Sequence, residues 1–442
     1  MAKEEADLLI INASELLTIR GGTEKPLLGE RMRDLGIIRD GGLAIRNGRV
    51  AAVGKTEKIR AEFESSEIID ARKRVVMPGF VDPHTHLVFA GSREEEFEMR
   101  IEGASYMEIL QKGGGILKTV RETRRASREE LLEGCRRTLN IMLEHGTTTV
   151  EAKSGYGLTT KDEVKCLEVL KLANTEHPVE IVPTFMGAHA VPTEYKDDVD
   201  GYVQLITDEM IPTVATHRLA KFCDVFCEKG VFTIEQSRRI LLKGKEHGLM
   251  PKLHADEMSG LGGAELAAEI QAASAEHLLF ASDIGLKAMA EHGVVAVLLP
   301  GASFTLMVQR YADARGMIEL GVPVALGTDY NPSCWVESQQ MIIALACRQM
   351  RMTPAEAIVA ATINAAHAIN RSREIGSLEP RKRADVIVLN VPNHRFLGYR
   401  FGVNLVDKVI KNGKLIVGEG RRLRADSQSI KAKNTNPNYC NV

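Results

Sequence analysis

The chain has 442 residues, of which 44% are hydrophobic and 26% charged, and its formal net charge is −2. These values are ordinary for a soluble globular protein, and the length suffices for one large domain and a smaller one. A nearly neutral chain has no general attraction to nucleic acid or to an anionic membrane, so neither is expected as a partner.

The N-terminus and the cysteines indicate the compartment. The chain begins Met1-Ala2-Lys3-Glu4 and has no basic segment followed by an apolar one, so no signal peptide is predicted. It also has no apolar run of about 18 residues that would predict a membrane span. Among its seven cysteines the only close pair is Cys223 and Cys227, whose spacing without a second pair is a weak zinc signal. Reduced thiols and a cytoplasmic location are therefore predicted.

The two ends of the chain predict β structure. Asn47-Gly48 separates two strand-like segments at 42–46 and 49–53, and Asn412-Gly413 does the same for 407–411 and 414–417. Residues 384–389 add another apolar strand. We expect both ends to join in one small β-sandwich domain of residues 1–76 and 378–442, with a frayed polar tail from about residue 420.

The middle of the chain repeats a helix, a glycine and a short apolar strand. Two helix starts fit capping boxes, Ser127 with Glu130 and Thr233 with Gln236. Alternating strands and helices predict a parallel sheet, and eight of them predict a (β/α)8 barrel of the TIM type over residues 77–377. An open doubly wound sheet is the alternative, but it usually carries a glycine fingerprint after its first strand, which this chain lacks. The predicted strands lie near residues 76–84, 147–153, 180–187, 222–227, 250–256, 273–278, 294–300 and 322–329.

Side chains that commonly bind metals occur at the ends of four predicted strands. His84 and His86 lie at the end of the first strand, where alternate residues point the same way and can reach one ion. His254, His277 and Asp329 end the fifth, sixth and eighth strands. Barrel active sites lie at the carboxyl ends of the strands, so these five residues are expected to meet at one mouth. Three imidazoles and a carboxylate suit a divalent transition metal.

Most other histidines are interpreted as structural. Three of them stand in Glu-His-Gly at predicted helix ends, where the helix dipole favours them. These are His145, His247 and His292, and His177, His217, His367 and His394 are given the same structural role.

Several segments carry a family resemblance. Residues 78–86, Pro-Gly-Phe-Val-Asp-Pro-His-Thr-His, resemble the first-strand motif of the amidohydrolase superfamily, and the similarity extends over nearly the whole chain. More specific segments resemble the imidazolonepropionase family within that superfamily. These segments are residues 113–116, 153–158, 187–189, 254–257 and 329–332.

The resemblance implies one divalent transition metal per chain, Zn or Fe, held by His84, His86, His254 and Asp329. It implies that Glu257, His277 and Asp329 carry out the catalysis, with Glu257 handling proton transfers and His277 beside the metal-bound water. Many family members have a glycine and a small hydroxyl residue where this chain has Ser333 and Cys334, which leaves open whether side chain or backbone contacts the substrate there. The substrate-binding residues implied are Arg93, Tyr106, Tyr156, His189, Glu257, Asn331, Ser333 and Cys334.

The reaction that the resemblance implies is hydrolysis of the cyclic amide of 4-imidazolone-5-propionate to N-formimidoyl-L-glutamate in histidine degradation. Free water attacks an amide poorly at neutral pH, whereas a bound metal lowers the pKa of its water to about 7. The planar guanidinium of Arg93 suits the propionate carboxylate of this substrate. The resemblance also implies a homodimer.

Three alternatives remain. One is a related cyclic aminohydrolase, a deaminase of the cytosine or guanine type, with nearly identical metal chemistry. Another is an inactive barrel that acts as a binding protein, which would be expected to have lost a ligand or the proton shuttle. The third concerns Lys153, because binuclear relatives bridge two metals with a carboxylated lysine. Lys153 ends the second strand, which is not the usual place, so a lysine in a loop or salt bridge is favoured and one metal is predicted.

Overall fold

The computed structural model describes residues 2–104, 108 and 113–423. The strands are β1 (Glu4–Glu5), β2 (Leu8–Leu17), β3 (Ile37–Arg46), β4 (Arg49–Lys55), β5 (Phe63–Glu64), β6 (Ile68–Asp70), β7 (Val75–Pro78), β8 (Phe80–Asp82), β9 (Thr147–Lys153), β10 (Glu180–Ala188), β11 (Phe222–Cys227), β12 (Met250–Ala255), β13 (Ser274–His277), β14 (Val295–Leu298), β15 (Val324–Leu326), β16 (Val386–Leu389), β17 (Val406–Lys411), β18 (Lys414–Gly418) and β19 (Arg421–Arg422).

The helices lie mostly between the barrel strands. The α-helices are α1 (Thr56–Glu62), α2 (Glu94–Ile101), α3 (Ile116–Arg125), α4 (Arg128–Glu144), α5 (Thr160–Glu176), α6 (Val199–Leu205), α7 (Ile211–Thr216), α8 (Ile234–Glu246), α9 (Gly263–Glu269), α10 (Asp283–His292), α11 (Pro300–Thr305), α12 (Ala314–Glu319), α13 (Gln339–Gln349), α14 (Pro354–Ala360), α15 (Ile363–Ala368) and α16 (Phe396–Tyr399). Short 3-10 helices occur at Gly29–Arg33 and Thr193–Tyr195, and a π-helical turn at Ile206–Met210 joins α6 to α7.

The central sheet contains eight parallel strands in the order β8 to β15. Parallel strands covered by helices are buried on both faces, and every residue of β9 is buried. A parallel bridge between Thr85 and Tyr330 joins the first and eighth strands just beyond their ends. The amide of Asp329 also donates to the carbonyl of His84 (3.1 Å), and the amide of His86 to that of Tyr330 (2.8 Å). The predicted barrel is confirmed, and these contacts close it at the carboxyl ends of the strands.

The first barrel strand is shorter than predicted. Residues 75–78 form β7, which pairs with β2 and β16 in the other sheet, and only Phe80–Asp82 pair with β9. The chain changes sheets at Gly79, where an added Cβ would lie 2.4 Å from a methyl carbon of Thr148. One apolar run therefore serves two sheets, which the hydrophobic pattern alone does not show. The predicted domain boundary between residues 76 and 77 falls inside β7.

The second large sheet draws strands from both chain ends, in the order β19-β18-β17-β16-β7-β2-β3-β4, with β6 beside β2. Alternate residues on one face form a core of their own that includes Ile10, Leu43, Val76 and Val386. The joining of the two ends in a smaller β domain is confirmed.

Both predicted hairpins are present. Asn47-Gly48 and Asn412-Gly413 have positive φ at both residues and link strands paired at Arg46–Arg49 and Lys411–Lys414. The two turns also pack against each other. Gly48 lies so close to the carbonyl oxygen of Asn412 that a Cβ added to Gly48 would be 2.8 Å from that oxygen. The sheet thus curls until its two hairpins touch.

Local sequence features define several helix ends. Ser127 with Glu130 and Thr233 with Gln236 form reciprocal capping boxes at the starts of α4 and α8, as predicted. Within the described ranges, no helix combines the length and the apolar character needed to cross a bilayer. The predicted frayed tail falls largely on residues 424–442, which lie outside the described residues.

Candidate active site

Four of the predicted ligands converge at the mouth of the barrel. His84 and His86 follow β8, His254 lies in β12, and Asp329 follows β15. Asp329 Oδ1 lies 3.3 Å from His84 Nε2 and 3.5 Å from His86 Nε2. The imidazole centroids of His84 and His254 are 4.6 Å apart. Residues separated by up to 245 positions are therefore gathered within reach of one ion.

The chemical state of these side chains fits a metal. Burial lowers the pKa of His84 and of His86 well below the ordinary value, so both rings are neutral with a free lone pair. Neither nitrogen of His84, nor Nε2 of His254, has a hydrogen-bond partner among the described residues. Buried polar atoms without partners are rare, and a bound cation would satisfy them.

His277 lies at the same mouth. It ends β13, and its ring centroid is 5.3 Å from that of His254. Its ring nitrogens lie close enough to those of His84 and His254 for the three to form a second possible ligand group. Burial lowers the pKa of His277 well below the ordinary value, so its imidazole is neutral.

Backbone strain occurs next to these groups. His277, Asp329 and Asp256 are non-glycine residues with positive φ, at 71°, 54° and 51°. Such conformations cost about 1–3 kcal/mol each and persist only where the surroundings impose them. All three follow or end barrel strands, so the chain takes up strained backbone conformations where it turns at the mouth.

Glu257 is carried by a loop that two buried carboxylates hold. Asp256 accepts the amides of Leu261, Gly262, Gly263 and Ala264 at 2.9–3.0 Å. Glu228 accepts the amide of Met258 at 2.8 Å. These hydrogen bonds hold the loop after β12 that carries Glu257.

Glu257 itself is placed for proton transfer. Its Oε2 lies 3.6 Å from His277 Nε2, and its side chain is 18% exposed. Burial, followed by the charge of Asp329, raises the pKa of Glu257 to about 8. Burial raises the pKa of Asp329 to about 6. A carboxyl group that titrates near neutrality can both accept and return a proton.

A cavity of about 220 Å³ opens above these residues. Most of the residues predicted to bind substrate line this cavity. The exception is Tyr106, which lies outside the described residues. Predicted residues that line it are Arg93, Tyr156, His189, Glu257, Asn331, Ser333 and Cys334, and additional ones are Ile116, Ala190, Phe226, Val231, Met258, Ala302 and Leu306.

Two predicted substrate residues have partners within the protein. His189 stacks on His86 with centroids 4.7 Å apart, and its Nδ1 contacts the carbonyl of Gly155 (3.0 Å). The Asn331 side chain donates to the carbonyl of Asp329 and accepts the amides of Ser333 and Cys334. Asn331 thus shapes the turn that brings Ser333 and Cys334 to the cavity.

The histidines interpreted as structural, and Cys223 and Cys227, do not line this cavity. His145 and His292 bond through Nδ1 to carbonyls four residues earlier in their helices, at 2.9 Å. The six cysteines within the described ranges are free thiols, and Cys223 and Cys227 are buried without entering any possible ligand group found there.

Sequence reasoning missed the charged groups beneath the ligands. Asp224 Oδ1 lies 3.1 Å from His254 Nδ1, and Glu276 Oε2 lies 3.8 Å from His84 Nδ1. Glu151 and Lys252 are buried with them. The sequence did carry a signal for these groups: charged residues alternate with apolar ones in strands that are predicted to be wholly buried.

Comparison with known proteins agrees with the geometry. The amidohydrolase family matches residues 75–416, so the chain belongs to that family. An imidazolonepropionase of Geobacillus thermodenitrificans is 55% identical over 419 residues, which cover 94% of this chain and 99% of the relative. One from Alkaliphilus metalliredigens is 52% identical over 418 residues, covering 94% and 99%. Within the amidohydrolases, the chain belongs to the imidazolonepropionase family, and the resemblance noted from the sequence is confirmed.

Solved structures support the fold. An adenosine deaminase from Xanthomonas campestris with bound zinc has a TM-score of 0.72 at 19% identity, covering 96% of each chain. A 5-methylcytosine deaminase from Klebsiella pneumoniae has a TM-score of 0.68 at 15% identity, covering 94% of this chain and 99% of that one. At these identities the likeness extends to the barrel architecture alone.

Replacement of Asp256 tests the fixed loop. In Asp256→Ala, four loop amides lose their acceptor, so hydrogen exchange at residues 261–264 should accelerate and the free energy of unfolding should fall by about 1–3 kcal/mol. Asp256→Asn keeps an acceptor oxygen and serves as the matched control. It should change both the hydrogen exchange and the free energy of unfolding less than Asp256→Ala does. Equal exchange in Asp256→Ala and the unaltered protein, measured by mass spectrometry, would show that the loop is held by other contacts.

Proposed function

We propose that this protein hydrolyses the cyclic amide of 4-imidazolone-5-propionate, giving N-formimidoyl-L-glutamate, with a metal-activated water. The observation that carries the proposal is membership of the imidazolonepropionase family over 94% of the chain at 55% identity. The geometry supports it independently, because a metal-binding cluster, a proton-transfer carboxyl and a guanidinium line one cavity.

We infer that His84, His86, His254 and Asp329 hold one divalent ion, Zn or Fe. Three neutral imidazoles and one carboxylate suit either metal. An ion held there would lower the pKa of a bound water to about 7 and would polarise a carbonyl oxygen. His277 is assigned a place beside the reacting water because its Nε2 faces Glu257.

Glu257 is the proposed proton carrier. Ring opening requires a proton to leave the attacking water and another to reach the departing ring nitrogen. The pKa of Glu257, raised by burial to about 8, places its protonated and ionised forms close in energy near neutral pH. Its position 3.6 Å from the neutral imidazole of His277 gives it a partner that can orient it during both transfers.

Arg93 is the proposed partner of the propionate. It immediately precedes α2 and lines the cavity with Tyr156, whose hydroxyl interacts with it. Its Nε is buried without a hydrogen-bond partner among the described residues. A planar guanidinium can bind a carboxylate through two parallel hydrogen bonds, which would fix the ring relative to Glu257.

The wider assignments follow from family membership. We propose that the protein is a soluble enzyme of histidine degradation, that it is located in the cytoplasm, and that it forms a homodimer. These proposals rest on the resemblance of the whole chain to the imidazolonepropionase family. Measurement of the solution mass by light scattering tests the assembly. The fold-level likeness to deaminases gives no support for a deaminase function.

Metal removal is the direct test. Chelation should abolish ring opening, and one equivalent of Zn²⁺ or Fe²⁺ per chain should restore it, as followed by ultraviolet loss of the imidazolone and elemental analysis. Cytosine and guanine, tested as controls, should release no ammonia. Undiminished ring opening by metal-free protein would contradict the proposal, and two metals per chain would contradict the single-ion site.

Replacement of Glu257 tests its role as the proton carrier. Glu257→Gln keeps the shape but cannot carry a proton, so kcat should fall about 100- to 10,000-fold while metal content stays at one per chain. Elemental analysis of the same sample is the control for the site. A variant that kept near-normal kcat would assign proton transfer to another group.

Replacement of Arg93 tests substrate recognition. Arg93→Met should lower kcat/KM about 10- to 100-fold, mainly through KM, because a charged hydrogen-bond partner of the propionate is lost. Arg100→Met, in the helix that follows and outside the cavity lining, should change kcat/KM little. An analogue whose carboxylate is an amide should be hydrolysed equally well by Arg93→Met and the unaltered protein. A large difference with that analogue would mean that Arg93 acts on the ring instead.

A further inference from the structure

Five charged side chains lie fully buried in the barrel directly beneath the proposed metal ligands. They are Glu151, Lys153, Asp224, Lys252 and Glu276, each with zero exposure. They come from β9, β11, β12 and β13, all on positions that face the barrel interior. Burial of a single charge is costly, so such a group persists only if its members compensate one another.

Lys153 is the centre of this cluster. Its Nζ lies 2.8 Å from Glu151 Oε1, 2.8 Å from Asp224 Oδ2 and 4.0 Å from Glu276 Oε2. Burial acts to lower the pKa of Lys153, but the carboxylates of Asp224, Glu151 and Glu276 together outweigh it and raise the pKa. Lys153 is therefore an ammonium ion. A carboxylated lysine would add a fourth negative group here, so this environment disfavours the metal-bridging alternative.

The partners of Lys153 reach the proposed ligands from two sides. Asp224 uses one oxygen for Lys153 and the other for His254 Nδ1 (3.1 Å), which directs Nε2 of His254 towards the mouth. Glu151 accepts the backbone amide of Thr85 (3.3 Å), and the Lys153 amide donates to the Thr85 carbonyl (2.9 Å). Thr85 stands between His84 and His86.

We propose that Lys153 is a positioning residue for metal binding, whose ammonium group anchors Asp224 so that His254 presents Nε2 to the ion. The inference rests on the proposed metal site but not on the identity of the substrate. Groups that orient a metal-bound histidine commonly contribute 10- to 100-fold to metal affinity. The proposal therefore assigns an effect on metal affinity to a lysine that contacts neither the metal nor the substrate.

Lys252 offers a matched control. It is an equally buried lysine whose Nζ lies 3.0 Å from Glu276 Oε1 and 2.6 Å from Ser274 Oγ, and it makes no ion pair with Asp224. Replacement of either lysine by Met removes a buried ammonium of similar size. Lys153→Met and Lys252→Met should therefore lose comparable stability, whereas only Lys153→Met should weaken metal binding.

The experiment measures metal affinity by chelator competition and the absorption spectrum of the Co²⁺-loaded protein. Lys153→Met should bind Zn²⁺ about 10- to 100-fold more weakly and show altered Co²⁺ bands. Lys153→Arg should recover a large part of the affinity. Lys252→Met should stay within threefold of the unaltered protein and keep its spectrum.

A charge-compensated variant covers the case in which Lys153→Met does not fold. Lys153→Met combined with Glu151→Gln removes the 2.8 Å pair together, keeps the net buried charge, and leaves an amide oxygen for Thr85. It should still bind metal at least tenfold more weakly, because Asp224 remains without its ammonium partner. Normal affinity and an unchanged Co²⁺ spectrum in this double variant would overturn the proposal. Failure of the unaltered protein to bind any metal would instead overturn the proposed function.

Discussion

The interior of the barrel is held by one constraint: charges that are buried together must satisfy one another. Among the described residues, the carboxylates of Glu151, Asp224 and Glu276 lie with the two ammonium groups of Lys153 and Lys252, and all five side chains have zero exposure. The proposed ligand Asp329 lies above them with its pKa raised by burial. This layer therefore has an excess of negative charge, and a divalent cation at the mouth would balance it.

Hydrogen bonds from buried carboxylates also fix the backbone and side chains around the site. His254 Nδ1 contacts Asp224, and the backbone amides of His84 and Thr328 both donate to Asp82, at 3.4 and 3.1 Å. Asp82 thus ties the first barrel strand to the eighth beside two proposed ligands. His277 and Asp329 have positive φ, a costly conformation that persists only where the surrounding structure imposes it. A site built in this way needs little rearrangement when a ligand binds, which favours tight and selective binding.

Family membership and geometry answer different questions about this protein. Identity of 55% over nearly the whole chain identifies the family, and with it the ring that is opened. The likeness to deaminases at 15–19% identity extends only to the barrel. The geometry adds how the chemistry is supported: a carboxyl that titrates near neutrality, neutral imidazoles, and a buried lysine beneath them.

The sequence by itself determined the local elements and the residue types of the site. Helix caps at Ser127 and Thr233, turns at Asn47-Gly48 and Asn412-Gly413, and the order of eight strands depend on neighbours in sequence, so they were predictable. Tertiary structure alone decided that the apolar run around Gly79 is shared between two sheets, and that Lys153 lies between Glu151 and Asp224. Strand pattern places a side chain on a face, but its charged partners come from strands far away in the chain. The physical reason is that pairing of buried charges depends on distances set only when the barrel closes.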